Sequence, residues 1–172
     1  MPETLSIILL WIFIISLGTT SGAGIYESRI VITSWIDSSP DSVLHWNSDA
    51  ARRDDTGRKF WAFVTTVPLT LLTLANLVVA WRSAGMLQAW WLYAVLAALA
   101  ERIFTFSYFI PTMIGLMRMP DSSKAAASAL RWAKLSYVRH ALVLAAWLAA
   151  LEVLALLNQQ RALPGAFRLG DK

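Results

Sequence analysis

Four stretches of this 172-residue chain each hold about 20 or more mostly apolar residues, and this constrains the fold more than any other feature. A run of that length is what an α-helix needs to cross the hydrocarbon of a bilayer, where every backbone amide must find its partner inside the segment. The runs extend from about Leu5 to Tyr26, Phe60 to Trp81, Gln88 to Leu116 and Trp132 to Leu157. The second carries no charge, the third is interrupted by Glu101 and Arg102, and the fourth contains Arg139, His140 and Glu152. Charged residues make up 15% of the chain, well below the roughly one quarter usual in soluble domains. Nine Trp and four Tyr suit the headgroup boundary, where amphipathic rings collect. The expected fold is an all-α membrane protein: a single domain forming an antiparallel four-helix bundle, the default when connections are short.

The segments between the runs refine this expectation. Met1 to Thr4 holds Glu3 and neither Lys nor Arg, so the first run reads as a retained span, its helix continuing toward Trp35, rather than a secretory leader. The long loop from Asp37 to Lys59 contains Ser38-Ser39-Pro40-Asp41, a Ser cap with Pro in the first turn. That pattern predicts a short interfacial helix with Leu44 and Trp46 turned to lipid or to the bundle. Arg82 to Leu87 forms a tight turn around Gly85, and the Ala-rich part of Arg118 to Lys134 should be helical and continuous with the fourth span. The first and third loops carry Arg29, Arg52, Arg53, Arg58, Lys59, Arg118, Lys124, Arg131 and Lys134, against Arg82, Arg161, Arg168 and Lys172 on the other side. Nine basic residues against four predict that the two larger loops are cytoplasmic in a multi-pass protein of the cell's inner membrane.

Helix association in lipid depends on close backbone approach or polar contacts, because lipid tails are as apolar as Leu. The first run offers Gly18-x-x-x-Gly22 within Gly18 to Gly24, and the fourth offers Ala141, Ala145 and Ala149. Both read as packing faces. An ionisable side chain in the hydrocarbon costs about 2.5–3.5 kcal/mol even on a mild insertion scale, so each needs a partner or a use. Glu101 and Arg102, adjacent on one helix, point about 100° apart and are expected to look to other helices for partners. The three/four rhythm puts Glu101, Thr105, Tyr108 and Thr112 on one face of the third helix. The corresponding stripe on the fourth is Trp132, Ser136, Arg139 or His140, Val143 and Trp147. With Glu27 from the first span and Trp61 from the second, these residues predict a polar, aromatic-lined cavity opening toward the two large loops. Its candidate members are Glu27, Trp61, Arg102, Tyr108, Arg139 and His140. The alternative is an interhelical salt-bridge network that fixes register and does no chemistry. Asn76 and Glu152 read as hydrogen-bond partners nearer the opposite face.

Several chemistries are excluded. Without cysteine there is no disulfide, thiolate metal site or thiol-based quinone reduction. Two histidines cannot build a histidine-rich di-iron or copper centre, and a bis-His haem would need His45 and His140 to meet. No phosphate-cradling Gly-rich motif, zinc His-Glu-x-x-His or Gly-x-Ser-x-Gly elbow is present. No metal or cofactor is therefore expected. The net charge of +4 reads as contact with anionic lipid rather than nucleic acid, since the basic residues flank apolar runs.

Phe109-Ile110-Pro111-Thr112 is followed by a polar loop and then by Trp132-Ala-Lys-Leu-Ser136-Tyr-Val-Arg139-His140. This layout resembles the small, mostly uncharacterised four-helix membrane family that includes the anthrone oxygenases. That family carries Pro-x-Asn near the end of its third helix and Trp-x-x-x-Asn-x-x-Arg at the start of its fourth. Met113 and Ser136 stand at the Asn positions here. The resemblance implies cofactor-independent oxygenation of an electron-rich phenolic substrate, in which a base removes a proton and the carbanion reacts with O₂. In that scheme His140 is the base, Arg139 stabilises the enolate, and Tyr108 and Trp132 hold the aromatic rings, with Glu27, Trp61, Arg102 and Ser136 completing the substrate site.

A second class of function competes with the enzyme. In it the cavity holds a quinone, lipid or other flat apolar molecule, or the chain is an accessory subunit assembling with copies of itself or with other membrane proteins. A cavity of roughly 300 Å³ or more would favour a ligand-holding class, and a filled interior with every charge paired would favour a structural one. A transporter is least favoured, because no inverted repeat or pair of broken helices is visible.

Overall fold

The computed structural model of the chain describes residues 3–38 and 44–166. Four helices are long and apolar enough to cross a membrane: α1 (Thr4–Trp35), α3 (Gly57–Trp81), α4 (Gly85–Leu116) and α5, whose apolar part is Ser123–Arg161. The shortest has 25 residues, about 37 Å at 1.5 Å per residue, which exceeds a hydrocarbon core of about 30 Å. Their outer surface is apolar on all four, with Ile15, Phe63, Leu71, Ile103 and Leu148 each more than half exposed. The Ala-rich stretch belongs to α5 as one unbroken helix, and Gly85, with φ of 64°, makes the turn that starts α4.

Between α1 and α3 the described residues at both edges of the helix expected from Ser38 are strand. Ile36–Ser38 (β1) pairs antiparallel with Leu44–Trp46 (β2), with Ile36 opposite Trp46. Ser39, Pro40 and Asp41 lie outside the described residues. Leu44 and Trp46 therefore sit on a strand, and the short helix α2 (Ser48–Asp54) begins later, where the Asn47 side chain accepts the Ala50 amide. Asp55, left-handed at φ 43°, ends it. The strand pair is pinned by a Trp in it and another just before it: Trp46 Nε1 donates to the Leu116 carbonyl at 2.9 Å, and Trp35 Nε1, at the end of α1, to Asp54 Oδ2 at 2.9 Å. Arg52 adds a bond to the Met117 carbonyl at 2.7 Å.

The interior is layered. One apolar cluster joins Leu10, Phe13 and Leu17 of α1 to Leu69 of α3, Trp91 and Val95 of α4 and Val143 and Val153 of α5. A second joins Trp35, Trp46 and Ala51 to Phe109 and Leu116 of α4 and Ala125, Ala129 and Trp132 of α5. Four of the buried ionisable residues, Glu27, Glu101, Arg102 and Arg139, lie, along each helix, between the residues of these two clusters. Within the first cluster Asn76 ties three helices: it donates to the carbonyls of Leu9 (3.3 Å) and Leu72 (2.9 Å) and accepts from Trp91 Nε1 (3.1 Å). Glu152 makes no such tie; it lies on the exposed side of α5. Gly18 lies against Trp147 and Gly24 against His140, whereas Gly22 has open space beside it, so the close approach of α1 and α5 uses Gly18 and Gly24 rather than the Gly18-x-x-x-Gly22 face.

Candidate functional site

Three of the four long helices widen at the level of the buried charges. The backbone follows i→i+5 bonding over Glu27–Val31 in α1, Gly57–Thr66 in α3 and Thr105–Phe109 in α4. The closing bonds run from Ile32 to Glu27, from Val67 to Ala62 and from Ile110 to Thr105. In α3 and α4 the cause is local: each wide segment is followed, two residues on, by a proline, Pro68 and Pro111. A helical proline lacks an N–H and crowds the carbonyl four residues back, and a wider turn relieves both problems. Such turns open space inside a bundle and are frequent at functional sites.

The widened turns surround a chamber of about 890 Å³. Glu27, Trp61, Arg102, Trp132, Arg139 and His140, all expected at the site, line it. Tyr108 and Ser136 do not. The wide turn at Thr105–Phe109 adds one residue to the rhythm of α4, so the face continues from Glu101 and Thr105 to Phe109 and Met113 in place of Tyr108 and Thr112. Tyr108 instead stacks on Phe104, ring centroids 5.6 Å apart. Ser136 is fully buried, its hydroxyl donating to the Trp132 carbonyl at 3.1 Å. At one end the chamber reaches Arg52, Asp55, Arg58 and Arg118, beside α2 and the turn after α4. His45 lies outside it, paired through Nδ1 with Asp121 Oδ2 at 2.8 Å and half exposed, while His140 is on the chamber wall.

Two acid–base pairs form the polar wall. Glu27 Oε1 accepts from Trp61 Nε1 at 2.6 Å and from Thr56 Oγ1 at 2.8 Å, and its Oε2 faces Arg139 Nη2 at 3.6 Å. Glu101 and Arg102 pair with each other, contrary to the expectation that neighbours on a helix cannot meet. The long Arg102 side chain folds back so that Nε and Nη2 both reach Glu101 Oε2, while Oε1 accepts from Thr105 Oγ1 at 2.7 Å. Both side chains are at least 95% buried, and each therefore takes the partner within reach rather than remain unpaired in the interior. The guanidinium of Arg139 lies 4.6 Å from the ring centre of Phe109, 5.5 Å from that of Trp61 and 6.0 Å from that of Trp132.

Neither arginine is fully satisfied. Arg102 Nη1 and Arg139 Nη2 are buried with no hydrogen-bond partner, as is His140 Nε2. The 3.6 Å approach of Glu27 to Arg139 is too long for a hydrogen bond. A buried donor left without an acceptor costs about 1–3 kcal/mol, more when charged, so these groups favour anything that brings an oxygen. The charge balance of the wall points the same way: five arginines (52, 58, 102, 118, 139) face three carboxylates (27, 55, 101). Arg102 and Arg139 were legible as candidates in the sequence. Glu101 and Thr105 were legible as one face of α4, whereas Thr56 and Phe109 were not, Phe109 because its placement depends on the wide turn that begins at Thr105. No protein-family model, curated protein or solved structure matches the chain.

Proposed function

We propose that the chain is a multi-pass membrane protein whose chamber binds a flat aromatic molecule with a carbonyl or phenolate oxygen at its edge. The observation that carries this reading is the pair of buried guanidinium N–H groups without acceptors, on Arg102 and Arg139, set among the ring faces of Trp61, Phe109 and Trp132. Guanidinium donors recognise an oxygen edge and aromatic faces recognise a flat ring, which together describe a quinone or a phenol. The volume is in the range of small-molecule sites and leaves a purely structural salt-bridge network with no reason for the empty space. The helices are read as an antiparallel bundle: Glu27 of α1 meets Trp61 near the start of α3, while Asn76 near the end of α3 reaches Leu9 near the start of α1. In this reading α2 and the hairpin cap the chamber at the bilayer surface.

The test is a titration of the purified protein in lipid nanodiscs with duroquinone, followed by quenching of Trp fluorescence, beside native mass spectrometry for a co-purifying aromatic molecule. Saturable quenching that weakens about tenfold in Arg102→Gln is expected, since a hydrogen bond to a charged group contributes about 1.5–3 kcal/mol. Absence of saturable binding would overturn the reading.

His140 favours a second reading, the cofactor-independent oxygenase. Its Nε2 is buried on the chamber wall without a partner, one residue from Arg139. In that role the imidazole takes the proton from a phenolic substrate and Arg139 holds the enolate oxygen while the carbanion meets O₂. Tyr108, which stands outside the chamber, has no part in it. Oxygen uptake with anthrone that survives His140→Ala would rule the base out.

A further inference from the structure

A second hollow of about 270 Å³ lies between α1 and α5, lined by Ser21, Ile25, Ser28, Tyr137, Ala141 and Leu144 together with Arg29 and His140. Among the described residues His140 alone lines both hollows. Neighbouring side chains part company along this line of contact. Thr20, Glu27 and Arg139 face the chamber, while Ser21, Ser28 and Ala141 face the groove. Ile25 and Tyr137 are 58% and 56% exposed, so the groove opens on the apolar outer surface that α1 and α5 present.

The two hollows share one imidazole. Ser28 Oγ stands 3.5 Å from His140 Nδ1, at the limit of a hydrogen bond, and Nε2 has no partner. On the facing helix is Gly24, where a Cβ would come within 2.6 Å of Nε2. The ring thus rests against bare backbone, with a single marginal polar contact to Ser28 and the edge of Tyr137 beside it. The chamber's end beside α2 carries more charge than the groove: Arg52, Asp55, Arg58 and Arg118 line it, against Arg29 and His140 in the groove, and an alkyl chain leaving at that end would have to cross charged groups.

We infer that the chamber's ligand is an amphiphile whose ring lies against Arg102 and Arg139 and whose alkyl or isoprenoid chain passes His140 between α1 and α5 into the lipid. This inference rests on the ring-binding reading above and adds the ligand class, a membrane-dissolved molecule with a tail rather than a soluble ring. It also gives His140 a positioning role at the point where ring and chain join.

The experiment compares duroquinone with the same ring carrying a decyl chain in place of one methyl, each titrated against wild type and against Ala141→Phe in nanodiscs. Ala141 is exposed on α5, so the added ring fills the groove without displacing the core, and Ala141→Leu provides a milder filling. Ala141→Phe is expected to weaken the decyl compound about tenfold, the scale of lost apolar contact along several methylenes, and to leave duroquinone within about twofold. Ala141→Leu should fall between. If duroquinone binds and the decyl compound is indifferent to both fillings, or fails to bind wild type, the tail does not use this route and the inference is wrong while the chamber reading stands. If duroquinone itself does not bind, the chamber reading fails and takes the inference with it.

Discussion

Trp61 Nε1 donates to Glu27 Oε1 at 2.6 Å and so fixes one carboxylate oxygen, leaving the other turned toward Arg139 at 3.6 Å. Glu27 is thereby an oriented counter-charge that Arg139 faces without closing on it, and the guanidinium keeps a donor for something else. The pair is buried, Glu27 at 4% and Arg139 at 9% exposure, so removing one member leaves an uncompensated buried charge. Glu27→Ala is expected to destabilise the protein by about 3–5 kcal/mol, and Glu27→Ala combined with Arg139→Met by clearly less, because replacing both charges removes the uncompensated one. Unfolding by SDS titration measures both. A double variant as unstable as the single one would show that the two groups are not coupled.

The contact between α1 and α5 makes a sharper distinction among glycines than their spacing suggests. A Cβ on Gly22 meets nothing within 4 Å, so Gly22→Ala should be neutral or stabilise by up to about 1 kcal/mol through helix propensity. A Cβ on Gly24 would lie 2.6 Å from His140 Nε2, and Gly24→Ala should cost about 1–3 kcal/mol as the imidazole is forced aside. The added variant His140→Ala should restore the loss. Thermal denaturation in detergent measures all three, and equal behaviour of the two glycines would contradict the packing.

Why these details escaped the sequence is a matter of geometry. The four spans were legible because length and apolarity alone decide them, and Glu27, Trp61, Arg102, Trp132, Arg139 and His140 were legible because charged or amphipathic side chains inside a span need company. Tyr108 and Ser136 were misplaced for different reasons. Tyr108 was projected along a regular α-helix, while the chain widens just before Pro111 and moves the inward position on to Phe109. Ser136 does follow the stripe into the interior, but its hydroxyl is turned onto its own helix at Trp132. The Glu101–Arg102 pair was missed because a residue-by-residue helical projection ignores how far an arginine can fold back. The hairpin at Ile36–Trp46 depends on tryptophan contacts to distant Asp54 and Leu116, which no local pattern announces.

Asp121 fastens that hairpin from the turn between α4 and α5: its Oδ2 meets His45 Nδ1 at 2.8 Å and its Oδ1 accepts the Trp46 amide at 3.0 Å. The His45 hydrogen bond, and after it the bond from the Trp46 backbone, hold the Asp121 carboxyl below its ordinary value of 3.8. A lowered carboxyl stabilises the fold above its unfolded value, and that stabilisation disappears as pH falls through the lowered folded value. Hydrogen exchange at the Trp46 amide should therefore stay slow from neutral pH down to about 4 and speed up below it, beyond the intrinsic pH trend. Asp121→Asn should exchange fast throughout. A wild-type amide that opens already near neutral pH would remove Asp121 as the fastener.

Asn76 tests whether polar contacts between helices matter more here than those within one. Its amide joins the Leu9 carbonyl of α1, the Leu72 carbonyl of α3 and the Trp91 indole of α4, and it is fully buried. Three residues earlier Thr73, equally buried, donates only to the Leu69 carbonyl of its own helix at 2.6 Å. Asn76→Leu keeps the size but leaves the buried Trp91 N–H without an acceptor, which should cost about 1–3 kcal/mol. Thr73→Val removes a bond whose acceptor carbonyl is already served by the helix, and about 0.5 kcal/mol or less is expected, in line with the small mean value of hydrogen bonds inside membranes. Both can be read from the same SDS unfolding curves. If the two substitutions cost the same, Asn76 is filling space rather than holding three helices in register.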